Sequence, residues 1–576
     1  MTAVRQCSVI LTATILVALT AAPAAAAPKP IAPGGPTSLP AFSGAPALPG
    51  RVPGVRQPPR HPFMAPNGRS NLHNDAFQTD AYTWSGPLGR SPRILSNAIG
   101  RTCGGIAMDR RKRLVAVCVG LSGPRLYMFD RRTLNVLAEL DLPGRLPAAP
   151  GTNIFQDFTG GGYFYLDDKD RVVTATTTRH VYVIAQTAGR PGFAIQRDYD
   201  LSGVLGPEDR IASALPDFSG QIWFVTRPGR VGTIDPGTGA IKVIALGEGI
   251  QNSFAVGERG EVYVITDRAL YRMQAGPDGT PRTVWREQYR NIGTQKPGQA
   301  DAGSGTTPTL TQDGNVAITD NADPMNVVVY RRAASVSGPR LVCEEPVFQA
   351  GAGATENSLI AAGRALLVEN NHGYTGPDAV SGGKLSTPGF ARVDVDRDGQ
   401  GCRTVWTNRS ERAPSVVPKL SLESGLVYTY TKPADPTGAD PWFWTALDFR
   451  TGRRVFRRLA GTGGGFNNNY PAIILDPDDG TAYLGTLGGI TALRDSGGTQ
   501  RLRLRVRRDG RQVRFIVSAA GRPISGATVR IAGRSVRTRP GGRAILRLSL
   551  PAEAGYRVVA RKPGYLTAAV TLTVRR

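Results

Sequence analysis

The chain has 576 residues, and its 70 Lys and Arg against 45 Asp and Glu give a formal net charge of +25. About 40% of the residues are hydrophobic, which supports packed domains and excludes a wholly disordered chain. Only four His are present, which argues against a histidine-based metal site or a Ser-His-Asp triad.

Residues 1–27 are predicted to be a secretory signal peptide. A charged start at Arg5 is followed by an apolar stretch from Val9 to Leu19 and a small-residue tail. That stretch is too short to span a bilayer, and no later segment has 18 uninterrupted apolar residues. We therefore expect cleavage after Ala26 and a secreted, extracytoplasmic protein without a transmembrane segment.

Residues 28–73 are predicted to be a disordered linker. They contain 12 prolines together with Gly, Ser and Ala, and they show no hydrophobic periodicity. We expect this stretch to act as a spacer ahead of the folded part.

Residues 74–497 contain eight repeats of an apolar run, a turn and a second apolar run, at a spacing of roughly 40 to 60 residues. The clearest copy is DDGTAYLGTLGGITAL, residues 478–493, in which the runs alternate as half-buried strands do. Helical periodicity is nearly absent, so we predict an all-β, eight-bladed β-propeller, or a seven-bladed one if an irregular repeat is not a blade. The last repeat lacks a clear fourth strand, and we expect residues 81–95 to complete it and close the ring.

Two segments of this region resemble a known repeat family. ALDFRTGRRVF (446–456) and TIDPGTGAIKVI (233–244) are similar to the strand-turn-strand signature of pyrroloquinoline-quinone-type propellers, the quinoprotein alcohol dehydrogenase-like superfamily. The resemblance implies an exported bacterial propeller of that superfamily. Quinone-dependent members carry adjacent cysteines beside the cofactor, and no two cysteines are adjacent here, which argues against bound pyrroloquinoline quinone.

Four cysteines remain after the signal peptide, an even number that suits an exported protein with disulfides. Cys103 and Cys118 flank a predicted hairpin, so they would lie opposite each other on paired strands. Cys343 and Cys402 begin strand-like segments in successive repeats, and pairing them is the remaining option. A zinc site, the alternative, lacks both a CxxC pair and a nearby His.

Polar residues collect where second strands end and first strands begin in repeats four to seven. In a four-stranded blade both points lie on one face near the central channel, so we expect a ligand pocket there. The candidate ligand-binding residues are Asn252, Asp267, Asp301, Asp320, Asn321, Asp323, Glu356, Asn357, Glu369, Asn370, Asn371, Lys432, Asn467 and Asn468.

Four of these residues, Asp320, Glu356, Asn357 and Glu369, offer the oxygen ligands that Ca²⁺ prefers, so Ca²⁺ is the candidate cofactor. The alternative is structural, because Asp and Asn after a strand commonly cap turns through side-chain to backbone hydrogen bonds. No residue is assigned a catalytic role.

Residues 498–576 are predicted to be a small β-sandwich of the Ig-like or prealbumin-like type. The pattern Gly-x-Pro-x-x-Gly-Ala-x-Val at residues 521–529 resembles carboxypeptidase-regulatory-like modules, and the resemblance implies a non-catalytic accessory domain.

Most of the net charge lies in this last domain, where 18 Arg and one Lys oppose two carboxylates. Arg501, Arg503, Arg505 and Arg507 share one face of a strand. An arginine-lined face attracts an anionic envelope polymer or lipid headgroups. A basic face that is merely solvated is the alternative.

Together these features favour a secreted, monomeric, non-catalytic binding or scaffold protein. Its propeller face would meet a ligand or protein partner while the basic sandwich holds it at the cell envelope. Sequence-specific nucleic-acid binding is not expected, because no recognition motif is present. The alternative is a metal- or quinone-dependent propeller enzyme, a lactonase-like hydrolase or a dehydrogenase, with its site on the loop face of blades four to seven.

Overall fold

The computed structural model describes residues 28–120, 122–147, 153–187, 189–496, 500–519, 522–552, 554–562 and 565–574, so the predicted signal peptide lies outside it. Helix within these ranges is confined to three short 3-10 turns, Ile154–Gln156, Pro377–Val380 and Gly464–Phe466. None of the described helices has the length and apolar character needed to span a bilayer. The all-β prediction is confirmed.

The strands between residues 92 and 495 form antiparallel sheets, which we number 1 to 8 in the order of the repeats and list from inner to outer strand. Sheet 1 contains Thr102–Met108, Arg113–Gly120, Gly123–Asp130 and Val136–Asp141, and sheet 2 contains Phe164–Leu166, Val172–Ala175, His180–Gln186 and Phe193–Asp200. Sheet 3 contains Ile211–Pro216, Ile222–Thr226, Arg230–Ile234 and Ile241–Ala245, and sheet 4 contains Ala255–Val256, Val262–Ile265, Ala269–Ala275 and Pro281–Gln288. Sheet 5 contains Thr309–Leu310, Asn315–Thr319, Asn326–Arg331 and Leu341–Pro346, and sheet 6 contains Ile360–Ala362, Ala365–Glu369, Phe390–Val395 and Cys402–Asn408. Sheet 7 contains Lys419–Ser421, Leu426–Thr431, Pro441–Asp448 and Arg454–Thr462, and sheet 8 contains Ile474–Leu475, Ala482–Thr486, Gly489–Asp495 and Pro92–Ala98.

In sheets 1 and 2, an aspartate builds the turn between the first two strands. In sheet 1, one carboxylate oxygen of Asp109 accepts from the Arg113 amide at 2.8 Å, and the other accepts from its side chain at 2.7 Å. Asp167 and Arg171 make the same two bonds in sheet 2, at 2.7 and 2.6 Å. The repeated Asp-x-x-x-Arg spacing therefore gives both repeats one local structure.

Neighbouring sheets share apolar cores all the way around the ring. Val183 of sheet 2 and Phe224 of sheet 3 belong to one buried cluster, for example, and Ile106 of sheet 1 and Tyr483 of sheet 8 belong to another. Ring closure by the N-terminal segment, as predicted, occurs at Pro92–Ala98, which pairs antiparallel with Gly489–Asp495. The ring is thus a β-propeller without a free edge at the point of closure.

Both predicted disulfides are present. Cys103 and Cys118 face each other on the first two strands of sheet 1. Cys343 and Cys402 join the outer strands of sheets 5 and 6, which are otherwise separate sheets.

Residues 28–63 do not form the disordered linker that their composition predicted. We call them the strap, because Phe42–Gly44 pairs with the outer strand of sheet 7 and Val52 donates its amide to Leu422. Ile31 and Ala47 are buried in the core that sheets 6 to 8 share. The prolines suit an extended chain laid against a finished surface, since they need no amide partner.

Residues 64–82 fill the centre of the ring, and we call them the plug. Residues 70–82 are all buried. The plug carbonyls of Ala76, Phe77, Thr79 and Asp80 accept from inner-strand amides of sheets 4, 5, 6 and 7 respectively. Ala81–Tyr82 then pairs in parallel with the inner strand of sheet 7. The folded part therefore begins well before residue 74, where the sequence predicted its start.

The described residues between 500 and 574 form two facing sheets around their own apolar core. One contains Arg503–Asp509, Gln512–Ala519, Arg522–Pro523 and Arg543–Arg547; the other contains Thr528–Ile531, Arg534–Arg537, Gly555–Arg561 and Ala568–Thr573; a short parallel pair joins Gln500–Arg501 to Tyr565–Leu566. Leu502 and Leu504 are buried while Arg501, Arg503, Arg505 and Arg507 are exposed, so the strand alternates as expected.

Candidate functional site

A small cavity of about 50 Å³ lies on the ring axis above the plug. Leu72 and His73 of the plug line it from within the ring. The remaining wall comes from residues at the entries to inner strands of six sheets, Gly104, Tyr163, Thr307, Glu356, Asn357, Val417 and Tyr470 among them. We call it the axial cavity, and we call the face where chains enter inner strands the upper face.

Glu356 brings a buried carboxyl group to this cavity. It accepts hydrogen bonds from Asn252 Nδ2 at 3.1 Å and from the Ala300 amide at 2.8 Å. Burial, with a further contribution from the charge of Asp301, raises the pKa of Glu356 well above its ordinary value. Burial therefore favours the protonated form of Glu356.

His73 faces the same cavity and is held from behind by a buried polar cluster. Its Nδ1 lies 3.1 Å from Asp80 Oδ2 and 2.8 Å from Ser358 Oγ. Lys419 Nζ donates to Asp80 and, at 2.6 Å, to the Leu72 carbonyl. Burial lowers the pKa of His73 although Asp80 opposes it. The imidazole is therefore neutral and donates from Nδ1 to Asp80.

This arrangement leaves His73 Nε2 as a hydrogen-bond acceptor. Within the described residues, Nε2 is buried and has no hydrogen-bond partner. The axial cavity thus contains an oriented imidazole and a buried carboxyl group, each fixed by protein groups outside the cavity.

A second carboxyl group, Glu369, lies behind Asn357. Its Oε1 accepts from Asn357 Nδ2 at 2.6 Å and from Asn371 Nδ2 at 2.9 Å. Burial raises the pKa of Glu369 well above its ordinary value. Asn357 and Asn371 were both predicted site residues, and they act here as donors to a buried acid.

The other predicted residues are dispersed along the upper part of sheets 4 to 8. They are bonded to other protein groups: Asp267 with the Gly249 amide, Asp301 with the Gly303 amide, Asp320 with Asn326, Asn321 with Asn291, Asp323 with the Gly351 amide, Asn370 with the Ala352 carbonyl, Lys432 with Asp440, Asn467 with Tyr374 and Asn468 with Ser415. Only Glu356 and Asn357 line the axial cavity, with Asn252 bonded to Glu356. Asp301 and Asp320 cap their own turns, as the structural alternative expects, whereas Asn321, Asn467 and Asn468 bond to residues 30 to 93 positions away.

The proposed Ca²⁺ ligands are not assembled into one set. Asp320 bonds to Asn326 and to the amides of residues 322 and 326, whereas Glu369 bonds to Asn357 and Asn371. Among the described residues, no three His, Cys, Asp or Glu side chains are grouped to hold a metal ion. The sequence grouped these residues by their position in the repeat, but Asp320 bonds within its own loop while Glu356 bonds to Asn252 and the Ala300 amide.

An open concavity of about 520 Å³ adjoins the axial cavity on the upper face, and we call it the vestibule. Phe158 and Asn469 line both spaces. Arg101, Arg145 and Phe155 line the vestibule alone, which lies over sheets 8, 1 and 2. This concavity of the upper face is therefore on the opposite half of the ring from the predicted one.

The connection between sheets 1 and 2 reaches across the axis. Asn153 Nδ2 donates to the Thr375 carbonyl at 2.6 Å, and Asn469 Nδ2 donates to the Phe155 carbonyl at 3.3 Å. Phe158 packs edge-on against Tyr470 with ring centres 5.0 Å apart. Residues 153–159, which we call the lid, thus lie across the axis, and Phe158 forms part of the wall of the axial cavity.

His73 and the lid are the functional residues that sequence reasoning missed. His73 fell in the segment predicted to be a linker. The available signal was a composition change, because residues 70–80 contain no proline and read Ser-Asn-Leu-His-Asn-Asp-Ala-Phe-Gln-Thr-Asp. Such polar density without proline is unlike the stretch before it.

No protein-family profile matches the chain. A protein of Archaeoglobus fulgidus described as uncharacterized is 28% identical over 331 residues, a match that covers 51% of this chain and 63% of that protein. The match thus spans less than two thirds of that relative's length.

Similar solved structures include BamB from Moraxella catarrhalis, with a TM-score of 0.41, 13% identity, and 70% of this chain and 93% of that one covered. The computationally designed Ika8 protein has a TM-score of 0.41, 13% identity and coverage of 69% and 97%. Sqt1 from Saccharomyces cerevisiae has a TM-score of 0.35, 11% identity and coverage of 61% and 91%. At TM-scores below 0.5 these likenesses carry no conclusion about function.

Proposed function

We propose that the chain is an exported, non-catalytic binding protein. Its propeller takes a ligand or partner on the upper face, and its basic sandwich attaches it to anionic material of the cell envelope. One observation carries the proposal: the buried acids near the axis are engaged with protein groups beneath the lid, while the adjoining vestibule is open and lies within the size range of small-molecule sites.

The chemistry of the vestibule indicates what it would accept. Phe155 is 38% exposed beside it, and Phe158 adds a second aromatic wall. Arg145 pairs with Asp157 at 2.6 Å, and Arg101 adds a second positive charge to the wall while donating to the Gly123 carbonyl and the Ser122 hydroxyl. A small molecule with an apolar part and an anionic or hydroxyl-rich part suits these walls.

Family and compartment belong to the same proposal. Membership of the pyrroloquinoline-quinone-type superfamily is supported by the Asp235 and Asp448 turns, which accept the amides of Thr238 at 2.9 Å and Thr451 at 2.8 Å. A carboxypeptidase-regulatory-like sandwich is supported by its strand pattern. Export through a signal peptide at residues 1–27 agrees with two disulfides, which persist in oxidising compartments.

The test is to purify the full mature chain from its native host and identify what it carries. Elemental analysis and mass spectrometry of extracted small molecules are expected to find an organic molecule in stoichiometric amount, without a stoichiometric metal or quinone. Phe155→Ser should lose that molecule. Phe63→Ser, a matched control at a ring that is 39% exposed and lies at the Gly220 turn, should keep it. A stoichiometric Ca²⁺ or quinone, or retention by Phe155→Ser, would overturn the proposal.

A second candidate function, an acid–base enzyme, rests on His73 and Glu356. An imidazole held by Asp80 and a buried carboxyl group on the same cavity can exchange protons with a substrate. The axial cavity of about 50 Å³ admits only a few atoms beneath the lid, so turnover would require the lid to open. Hydrolysis of a simple lactone such as dihydrocoumarin by the native chain, and its loss in His73→Gln, would favour this function over the first.

A further inference from the structure

The exposed face of one sandwich sheet carries a dense arginine array, which we call the basic face. Its strands are Arg503–Asp509, Gln512–Ala519 and Arg543–Arg547, with the second between the other two. The outward-facing arginines are Arg503, Arg505, Arg507, Arg514, Arg543 and Arg547, and all are exposed.

Few carboxylates neutralise this array. Arg514 pairs with Asp509 at 3.2 Å, and Arg503 pairs with Glu423 of the propeller at 2.8 Å. Within the described part of the chain, no ion pair is formed by Arg505, Arg507, Arg543 or Arg547. Arg507 even lies directly opposite Arg514 on the neighbouring strand. Like charges directly opposite each other on paired strands destabilise the fold, so an anionic partner would stabilise the array.

Two large apolar side chains lie within the same array. Ile516 is 42% exposed and sits between Arg505 and Arg543, its neighbours in register on either side. Ile545 is 55% exposed and lies opposite Arg514. An exposed isoleucine contributes stabilising free energy only where a partner removes its side chain from water.

From this combination we propose that the basic face docks on the surface of an anionic lipid bilayer. The arginines meet the headgroup phosphates, and Ile516 and Ile545 enter the boundary with the acyl chains. A hydrated anionic polymer would use the arginines but leave both isoleucines in water. The inference rests on the proposed envelope attachment and names the partner.

The opposite sheet of the sandwich provides an internal comparison. It is also basic, with exposed Arg530, Arg557 and Arg561. Val559 pairs with Arg530 on one neighbouring strand and with Ala569 on the other, and it is half-buried. No described residue of this sheet is among the large exposed hydrophobic side chains. The two faces therefore match in charge type and differ in exposed apolar surface.

The test is co-sedimentation of the full chain with vesicles. Vesicles of equal phosphatidylglycerol and phosphatidylcholine are compared with pure phosphatidylcholine, and soluble dextran sulfate serves as a polymeric anion. The native chain should bind the mixed vesicles and not the neutral ones. Arg505→Gln/Arg543→Gln should weaken vesicle binding by about fivefold per arginine.

The isoleucines separate lipid from polymer. Ile516→Ser/Ile545→Ser should weaken vesicle binding by on the order of tenfold and leave dextran sulfate binding unchanged. Arg557→Gln/Arg561→Gln on the opposite sheet, and Ile195→Ser/Ile292→Ser at propeller positions that are each 49% exposed, are the controls for charge and apolar surface.

Each outcome decides between the two proposals. Vesicle binding that is insensitive to the isoleucine pair, or equal losses from the two arginine pairs, overturns docking through the basic face. Binding to dextran sulfate alone overturns the bilayer but keeps envelope attachment. Binding to neither overturns both. Because every substituted side chain is exposed, unchanged circular dichroism is expected for all variants.

Discussion

Asp80 and Lys419 form an ion pair that is fully removed from water at the centre of the ring. Ser358 and His73 also bond to the Asp80 carboxylate, so its charge is shared among three partners. Lys419 opposes the effect of burial and keeps the pKa of Asp80 below its ordinary value. The plug is thus joined to sheets 6 and 7 by groups that cannot be rehydrated without unfolding.

Replacing Lys419 with Met should therefore destabilise the propeller strongly. The substitution leaves a buried carboxylate without its cation, which costs about 3–5 kcal/mol. Urea unfolding followed by tryptophan fluorescence measures this loss, since all six Trp precede residue 445 and report the propeller. Arg282→Met is the control, because its pair with Asp278 is more than half exposed and should contribute little to stability. Equal effects of the two substitutions would contradict the account.

Asp75 of the plug gives the propeller a pH dependence of known sign. Burial raises the pKa of Asp75 from its ordinary 3.8 to about 7. The folded state thus holds a proton that the unfolded state releases near pH 4. The stabilisation is complete below that pH and is lost as the pH rises through about 7.

Asp75→Asn should remove this dependence. The variant is expected to match the native chain at acid pH and to exceed it at pH 8, by up to about 4 kcal/mol from the shift in pKa. Urea midpoints between pH 5 and 8 test this. Asp235→Asn should show no such rise, because hydrogen bonds from the Thr238 and Gly237 amides lower the pKa of exposed Asp235. A constant difference between Asp75→Asn and the native chain would refute the assignment.

At the scale of single residues, the sequence predicted part of the candidate site. Glu356 and Asn357 were predicted because they precede an inner strand, and that position does line the axis. His73 and Asp80 were not, because their partners Ser358 and Lys419 lie more than 270 residues later in the chain. No local sequence pattern predicts a contact between residues so far apart in the chain.

At the scale of elements, the two disulfides differ in loop length and in accessibility. Cys103 and Cys118 are 15 residues apart and fully buried, whereas Cys343 and Cys402 are 59 apart and half-buried at sheet edges. A longer closed loop restricts the unfolded chain more. The bridge between sheets 5 and 6 should therefore be both the more stabilising and the more easily reduced.

Limited dithiothreitol under native conditions should reduce Cys343–Cys402 first, as read by alkylation and peptide mapping. Cys343→Ser/Cys402→Ser should lower the free energy of unfolding by about 4 kcal/mol, against about 3 kcal/mol for Cys103→Ser/Cys118→Ser. Earlier alkylation of Cys103 or Cys118 would be the contrary result.

Element types were the most predictable part of the molecule. Alternation of apolar and polar residues placed the strands, and in the sandwich it separated Leu502 and Leu504 from Arg501 and Arg503 correctly. The strap was the failure at this level. Proline-rich composition signals a chain that cannot build its own core, but it does not exclude binding to a core built by others.

For the whole molecule, the plug makes the propeller a ring around its own chain. The amides of Val256, Leu310, Ala361 and Leu420 are expected to exchange hydrogen as slowly as amides bonded within the sheets, because they donate to plug carbonyls. Hydrogen exchange with mass spectrometry can resolve the four inner strands. Exchange many times faster than in the adjacent second strands would mean that the plug detaches while the ring stays folded.

The positions of the plug and the closing strand in the chain determine the order in which the ring can assemble. The plug and the closing strand Pro92–Ala98 are made first during synthesis, yet the closing strand's partner, Gly489–Asp495, is made nearly last. Contacts of such sequence separation form slowly, because a long loop must close before any bond compensates its lost entropy. An early plug without its ring stays unstructured. Completion of the propeller thus waits for the final repeat.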